Sequence, residues 1–288
     1  MSLDVVDLRE FYHRPLGQVA RRVLRAKMRA RFADVAGLRV LGVGFATPFL
    51  GVFRDEAERV MAFMPAEQGV LDWRSARGTA SALVEADMWP LPDAAVDRII
   101  LVHLLETADD PREVLRECWR CLAPGGRLLA VVPNRRAPWS AFESTPFGHG
   151  RPYSRMQLTN LLRETQFQPV EWSEALMFPP VERSIVLRSA IALERLGARF
   201  WTMFAGVHIV EAVKQVYRPV RAKRRVSRVR RVRRFAKRLV PGTGGVPVPG
   251  VGAPAKRVRS GEAPGARHAQ HHEGGDRNHR PGHGFTQE

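Results

Sequence analysis

Between residues 8 and 32 the apolar positions recur at helical spacing. Leu16, Val19, Val23 and Leu24 fall on one face with arginines between them, which predicts an amphipathic helix over 8–32. The period then changes. Residues 38–44, Leu-Arg-Val-Leu-Gly-Val-Gly, form a short apolar run ending in glycine, the pattern of a buried strand that enters a tight turn. Runs of the same kind at 59–63, 82–86, 97–102 and 127–132 predict further strands. Segments able to form helices separate them, most clearly 111–122. There Asp110 supplies an N-cap, Pro111 the first helical position and Glu113 a first-turn carboxylate, and Gly125 marks the stop. Val114, Leu115, Cys118, Trp119 and Leu122 share its apolar face. Strands that are apolar almost throughout and alternate with helices predict a doubly wound, mostly parallel α/β sheet.

Past residue 132 the pattern loosens. Residues 135–151 are rich in Pro, Gly, Trp and Phe and read as a loop or lid, and Ser154 caps a helix that opens over 153–158. Residues 169–177 and 207–216 predict strands, with a helix over about 185–200 between them. The ordered domain is expected to span 1–217, with its core at 38–217. Two different segments follow. Residues 218–240 are an arginine-rich helix candidate whose Val226, Val229, Val232 and Phe235 are three apart, a spacing that drifts around the helix. Residues 241–288 hold 11 Gly and 6 Pro and are predicted to be disordered, because such a composition buries too little surface to offset ordering entropy.

Charge changes the picture in one respect. The chain of 288 residues carries a formal +17, from 46 Lys and Arg against 29 Asp and Glu. From Arg218 onward there are 18 bases and 4 acids, so +14 belongs to the last part and the rest is nearly neutral. A basic block of this density at 218–238 predicts nonspecific affinity for a polyanion, either an anionic membrane surface or a nucleic-acid backbone. Its single aromatic residue, Phe235, does not make an interleaved series able to stack on bases. Two cysteines exclude a disulfide framework, the acidic N-terminus shows no secretory signal, and no apolar run is long enough to span a membrane. A cytoplasmic protein is expected, with peripheral membrane attachment as the variant its basic end allows.

The chemistry of an open parallel sheet lies at the carboxyl ends of its strands, so the turn after the first strand is the place to look. It reads Gly42-Val43-Gly44-Phe45-Ala46-Thr47-Pro48, with Gly42 and Gly44 able to take unusual φ and admit a ligand to the backbone, and Ala46 small. Asp87-Met88-Trp89-Pro90-Leu91-Pro92 follows the third strand, the fourth ends in Val102-His103-Leu104-Leu105-Glu106, and the helix after it leads into Leu122-Ala123-Pro124-Gly125-Gly126. This succession resembles the class I S-adenosylmethionine-dependent methyltransferases of the type 11 group, from about residue 38 to 217. The resemblance implies a seven-stranded Rossmann-like sheet whose final strand, 207–216, is antiparallel beside 169–177. It also implies that Gly42, Gly44 and Ala46 pass under the methionine part of S-adenosylmethionine. Asp87 would then accept from the adenine amine, Met88 pack on the adenine, and His103 face the cofactor. Two acids of the family pattern are missing: Gly42 stands at one place, and the second strand runs into Phe63-Met64-Pro65-Ala66, with Glu67 several residues late.

A sulfonium methyl is already activated, so such an enzyme works mainly by alignment and needs a base only when the acceptor loses a proton. His103 is the first candidate for it, followed by Glu106, His149 and Tyr153; each has a plain alternative in core or loop packing. Trp139, Phe142, Phe147 and Tyr153, with residues 178–200, would shape a pocket for a small-molecule or lipid-like acceptor. The rival reading is a methyltransferase-like scaffold without catalysis that docks on a polyanion through its basic end. A nicotinamide dehydrogenase is disfavoured, since G-x-G-x-x-G and an acid ending the second strand are both absent. Cys118-Trp119-Arg120-Cys121 closes a helix rather than opening one and lacks two further zinc ligands, so packing is expected of it. No metal site is expected either from the histidines at 268–283.

Overall fold

Pro15 breaks in two the helix predicted for residues 8–32. Its ring fixes φ and removes the N–H, so it begins a helix readily but cannot continue one. In the computed structural model, which describes residues 4–75, 78–200 and 204–216, the stretch forms α1 (Val5–His13) and α2 (Pro15–Arg31), with Arg14 extended between them. Gly17 lets α2 turn back tightly, because a Cβ there would land on the Phe11 carbonyl and within 2.8 Å of the Tyr12 Cα.

Among the described residues nine strands follow: β1 (Arg39–Gly44), β2 (Arg59–Pro65), β3 (Arg74–Ser75), β4 (Gly78–Thr79), β5 (Ser81–Val84), β6 (Val96–Val102), β7 (Leu122–Pro133), β8 (Phe167–Ala175) and β9 (Val207–Lys214). Seven of them form one sheet in the order β5-β2-β1-β6-β7-β9-β8. All its pairs are parallel except those of β9, which runs antiparallel to both β7 and β8. The expected architecture, antiparallel last strand included, is therefore present. The strand pair β8–β9 is irregular between Pro169 and Glu171, at the sheet's outer edge.

Side-chain alternation assigns the two faces. Val40, Ile100, Val102, Leu129, Val131 and Ile209 pack under α1, α2 and their neighbours, while Leu41, Val43, Ile99, Leu101, Leu128 and Val210 face the opposite layer. That layer holds α4 (Pro111–Cys121), capped by Asp110, and α5 (Arg155–Glu164), whose Ser154 and Gln157 complete a capping box. The early crossovers depart from regular alternation. After β1 come only α3 (Thr47–Leu50) and a 3₁₀ turn at Gly51–Phe53, and between β2 and β5 the β3–β4 hairpin stands in place of a helix. The two N-terminal helices cover that side instead. The last crossover carries α6 (Ser184–Phe200).

Residues 135–151 are less loop-like than their composition suggests. They fold as two 3₁₀ turns, Pro138–Ala141 and Pro146–Gly148, that bury Trp139 and Phe147 and leave Phe142 exposed. The Trp139 Nε1 donates to the Phe178 carbonyl at 2.7 Å. Among the described residues no helix is long and apolar enough to cross a membrane. Tyr217, the arginine-rich segment 218–240 and the tail 241–288 lie outside the described residues.

Candidate active site

Chain order reverses between β1 and β6, so their carboxyl ends flank the crevice where open α/β sheets take ligands. Three polar side chains meet there. Tyr12 comes from the end of α1, His103 directly follows β6, and Glu106 stands three residues later. The Tyr12 Oη lies 2.8 Å from His103 Nε2, and His103 Nδ1 lies 3.0 Å from Glu106 Oε1. All three residues are buried, at 2%, 1% and 2% exposure. A carboxylate only accepts, so the Glu106 bond places the imidazole N–H on Nδ1 and leaves Nε2 as acceptor for the Tyr12 hydroxyl. Burial, and then the charge of Glu106, push ionisation of Tyr12 well above the usual phenol range.

Two features set this group apart from ordinary core packing. His103 holds φ at 53°, a left-handed conformation that strains a non-glycine residue by about 1–3 kcal/mol and persists where surrounding contacts over-determine it. The second oxygen of Glu106, Oε2, is buried without a hydrogen-bond partner. A base in a single tautomer, its accepting nitrogen aimed at a hydroxyl, is what this arrangement provides.

Aromatic rings enclose the Tyr12 end. The Tyr12 ring stacks on Phe45 at 5.7 Å and 15°, meets Phe11 and Phe49 edge-on at 5.0 and 5.5 Å, and Phe147 lies 4.8 Å from the His103 ring. Gln68, just beyond β2, donates to the His103 carbonyl and accepts the Val5 amide at 2.7 Å. Helix α1 is thereby tied to the crevice at both ends.

The glycine turn behaves less uniformly than expected. Gly44 has φ of 79°, and Phe45 after it donates to the Val102 carbonyl at 2.9 Å, joining the turn to β6. Gly42 does not take a positive φ. A Cβ there would sit 2.6 Å from a Leu50 methyl and 2.7 Å from the Ala46 Cβ, so Gly42 and Ala46 are small to let α3 pack on β1. Asp87 and Met88 are exposed on the turn after β5, Met88 at 68%. α4 pins the loop that follows: Glu117 accepts from the Trp89 amide at 2.7 Å, and Arg120 donates to the Leu91 carbonyl at 2.8 Å. Three strand spacings, about 14 Å, separate the β5 end from the β6 end. The structure therefore groups His103 and Glu106 beside the Gly44 turn and sets Asp87 and Met88 apart.

The other candidates make bonds to backbone or lie in the core. His149 bonds the Glu143 carbonyl at 2.7 Å, away from the buried group. Tyr153 donates to the Leu105 carbonyl at 3.0 Å, and burial pushes its pKa up to about 12. Cys118 and Cys121 are buried, which raises both thiols, that of Cys121 to about 11, and makes them poor nucleophiles.

Beside Tyr12 opens a cavity of about 250 Å³. Phe45, Thr47 and Pro48 of the first turn line it, together with Leu71, Asp72 and Trp73 from the loop after β2 and the bases Arg9, His13 and Arg21. Asp72 accepts from Arg74 Nε at 2.6 Å. Sequence reasoning missed Tyr12, Gln68 and Asp72. Tyr12 is one more apolar position of a helix, and the other two lie in a loop without periodicity. The ring-plus-hydroxyl of Tyr12, three residues before a helix-breaking Pro15, was the one available signal.

A family profile described as a methyltransferase domain matches residues 28–130. A probable S-adenosylmethionine-dependent methyltransferase of Mycolicibacterium smegmatis is 37% identical over 81 residues, 27% of this chain and 31% of the relative. The demethylmenaquinone methyltransferase of Thermus thermophilus is 33% identical over 97 residues, 33% of this chain and 36% of the relative. The chain thus spans about a third of the length of these curated relatives. Among solved structures, a SAM-dependent methyltransferase of Thermotoga maritima aligns with a TM-score of 0.51 at 19% identity, covering 73% of this chain and 96% of the other. One from Archaeoglobus fulgidus gives 0.50 at 18%, covering 67% and 94%. The chain thus shares its fold with those structures, and its residues 28–130 match a methyltransferase domain.

Proposed function

We propose that this protein transfers the methyl group of S-adenosylmethionine to a small-molecule or lipid-like acceptor, with His103 taking the acceptor's proton. The observation that carries this reading is the buried series Tyr12–His103–Glu106 at the point where strand order reverses. A scaffold without catalysis gives no reason for a strained histidine whose tautomer a buried carboxylate sets.

The open cavity next to the Gly44 turn fits the cofactor's amino-acid end. Arg9 and Arg21 there suit a carboxylate, and Asp72 supplies an acid near the places where the family pattern lacks one. Asp87 accepts from the adenine amine in this reading, and Met88 covers the ring. When bound, the cofactor supplies an activated methyl group. The protein's own residues do the rest: Glu106 holds the His103 tautomer, Nε2 receives a proton, and the aromatic wall excludes water from the crevice.

The basic stretch 218–238 is proposed to dock on a polyanion, an anionic membrane surface or a nucleic acid, and to make a cytoplasmic enzyme peripheral to a membrane. The α2 face adds to this attraction through Arg21, Arg22, Arg25 and Arg29, which border a shallow surface groove. The assignment 1–217 for the catalytic domain, with 218–240 and 241–288 as appendages, belongs to the same proposal.

Calorimetry of the full-length protein with S-adenosylmethionine tests the reading. Binding is expected, and Asp87→Ala should weaken it about tenfold by removing one charge-assisted bond. Absence of binding at millimolar cofactor refutes the enzyme; an unchanged affinity in the variant refutes the adenine assignment.

A further inference from the structure

A protein that works on a ligand at its switch point has no need to fill that point with its own side chain, yet here Tyr12 does so. Its ring bridges the β1 end, where Phe45 stacks on it, and the β6 end, where His103 accepts its hydroxyl. We propose that Tyr12 holds the acceptor's place, and that the acceptor is a phenol-type aromatic hydroxyl which enters the same slot when α1 withdraws. The proposal rests on the methyltransferase reading above and specifies its substrate class.

The chemistry of the slot selects the class. The walls that remain when α1 withdraws are rings, Phe45 stacked and Phe49 edge-on, an arrangement that favours a flat aromatic body over an alkyl chain. At its end stands a single polar acceptor, His103 Nε2, buried and otherwise unpaired once the Tyr12 hydroxyl leaves. A hydrocarbon would strand that nitrogen, whereas a hydroxyl satisfies it, and a buried acceptor left unpaired carries the full desolvation penalty. The cavity proposed for the cofactor's amino-acid end also touches Tyr12, so a ring in the slot borders it directly. The unpartnered Glu106 Oε2 lies behind the imidazole, where positive charge develops as the proton arrives.

The step balances without a further reactant. The acceptor's O–H proton passes to Nε2 of His103 as its oxygen bonds the methyl carbon. The electron pair of the broken carbon–sulfur bond stays on sulfur, which becomes a neutral thioether, and the proton leaves the imidazolium to solvent when α1 opens. Opening breaks the Tyr12 bond to His103 and the Val5 bond to the Gln68 carbonyl and exposes Leu8 and Phe11, while an aromatic acceptor restores the ring contacts with Phe45 and Phe49.

The test uses the excised side chain as its probe. In full-length Tyr12→Ala with S-adenosylmethionine present, p-cresol should bind about tenfold tighter than toluene, the difference being one hydrogen bond to a buried acceptor. That preference should vanish in Tyr12→Ala/His103→Leu, and mass spectrometry should find p-cresol converted to 4-methylanisole. Equal affinity for p-cresol and toluene, with cofactor still bound, overturns the aromatic-hydroxyl assignment alone. Failure of wild-type protein to bind the cofactor overturns the methyltransferase reading beneath it. Should the alanine variant not fold, Tyr12→Phe keeps the ring and frees it from His103. Its methylation of added p-cresol should then exceed wild type by about threefold, and an unchanged or lower rate overturns the proposal.

Discussion

His208 makes this fold acid-sensitive in a way that can be calculated. It lies in β9 at 6% exposure, opposite Glu174 of β8, with Trp172 edge-on at 6.1 Å and its Nδ1 unpartnered. Burial first, and then the charge of Arg155, lower its pKa from 6.5 to about 4, although Arg155 also approaches Glu174 at 3.9 Å. The folded protein therefore keeps the ring neutral at pH values where the unfolded chain protonates it. Above pH 6.5 neither state binds the proton and the full stability is present; it declines as pH falls from 6.5 to about 4 and then levels. Each pH unit within that window removes about 1.4 kcal/mol, so pH 5 costs roughly 2 kcal/mol and the whole window roughly 3. Urea unfolding of wild type and His208→Gln at pH 7 and pH 5 isolates the effect, since carboxylate contributions are common to both. Wild type should lose about 2 kcal/mol more than the variant. Equal losses would show that the ring is hydrated or protonated in the native state and would refute the reasoning.

Two other perturbations probe the crevice. Gly17→Ala places a methyl on the Phe11 carbonyl and should destabilise the protein by about 1–3 kcal/mol while speeding hydrogen exchange at the α1 amides; a variant with wild-type exchange would mean that α1 is not braced by α2. Glu106→Leu removes the acceptor that fixes the imidazole tautomer, so His103 nitrogen shifts should show a tautomer mixture and turnover should fall about 100-fold with cofactor affinity unchanged. A single tautomer in that variant would assign its control to another group.

Much of the architecture is written locally. Apolar runs such as 38–44 and 97–102 are nearly continuous because their strands are covered on both faces, and Asp110 and Ser154 announce helices through caps that need no tertiary partner. The break at Pro15 was equally local, but the helical spacing on either side of it obscured the interruption. What stayed hidden depends on distance along the chain. Tyr12 and His103 are 91 residues apart, and nothing in the spacing of either reports the other. Gly42 shows the opposite difficulty: a glycine that reads as room for a ligand proves to be room for Leu50 and Ala46. Asp72 lies in a loop whose path back toward the first turn follows from the β3–β4 hairpin, a feature with no hydrophobic signature.

The irregular pairing at Pro169 bears on how copies of this protein behave when crowded. An open sheet ends in two strands with unused backbone groups, and each is a template on which another chain can add. At one margin β5 is only four residues long, too short to recruit much. At the other, β8 runs for nine residues and exposes Val170 at 51%, the longer and more adhesive border. There a proline offers no donor, the register shifts beside it, and Glu171 follows with a carboxylate that Arg31 engages. Among the described residues, the break in this border thus rests on three neighbouring positions far from the crevice, and a straightened β8 would offer a longer run of backbone for another chain to pair with.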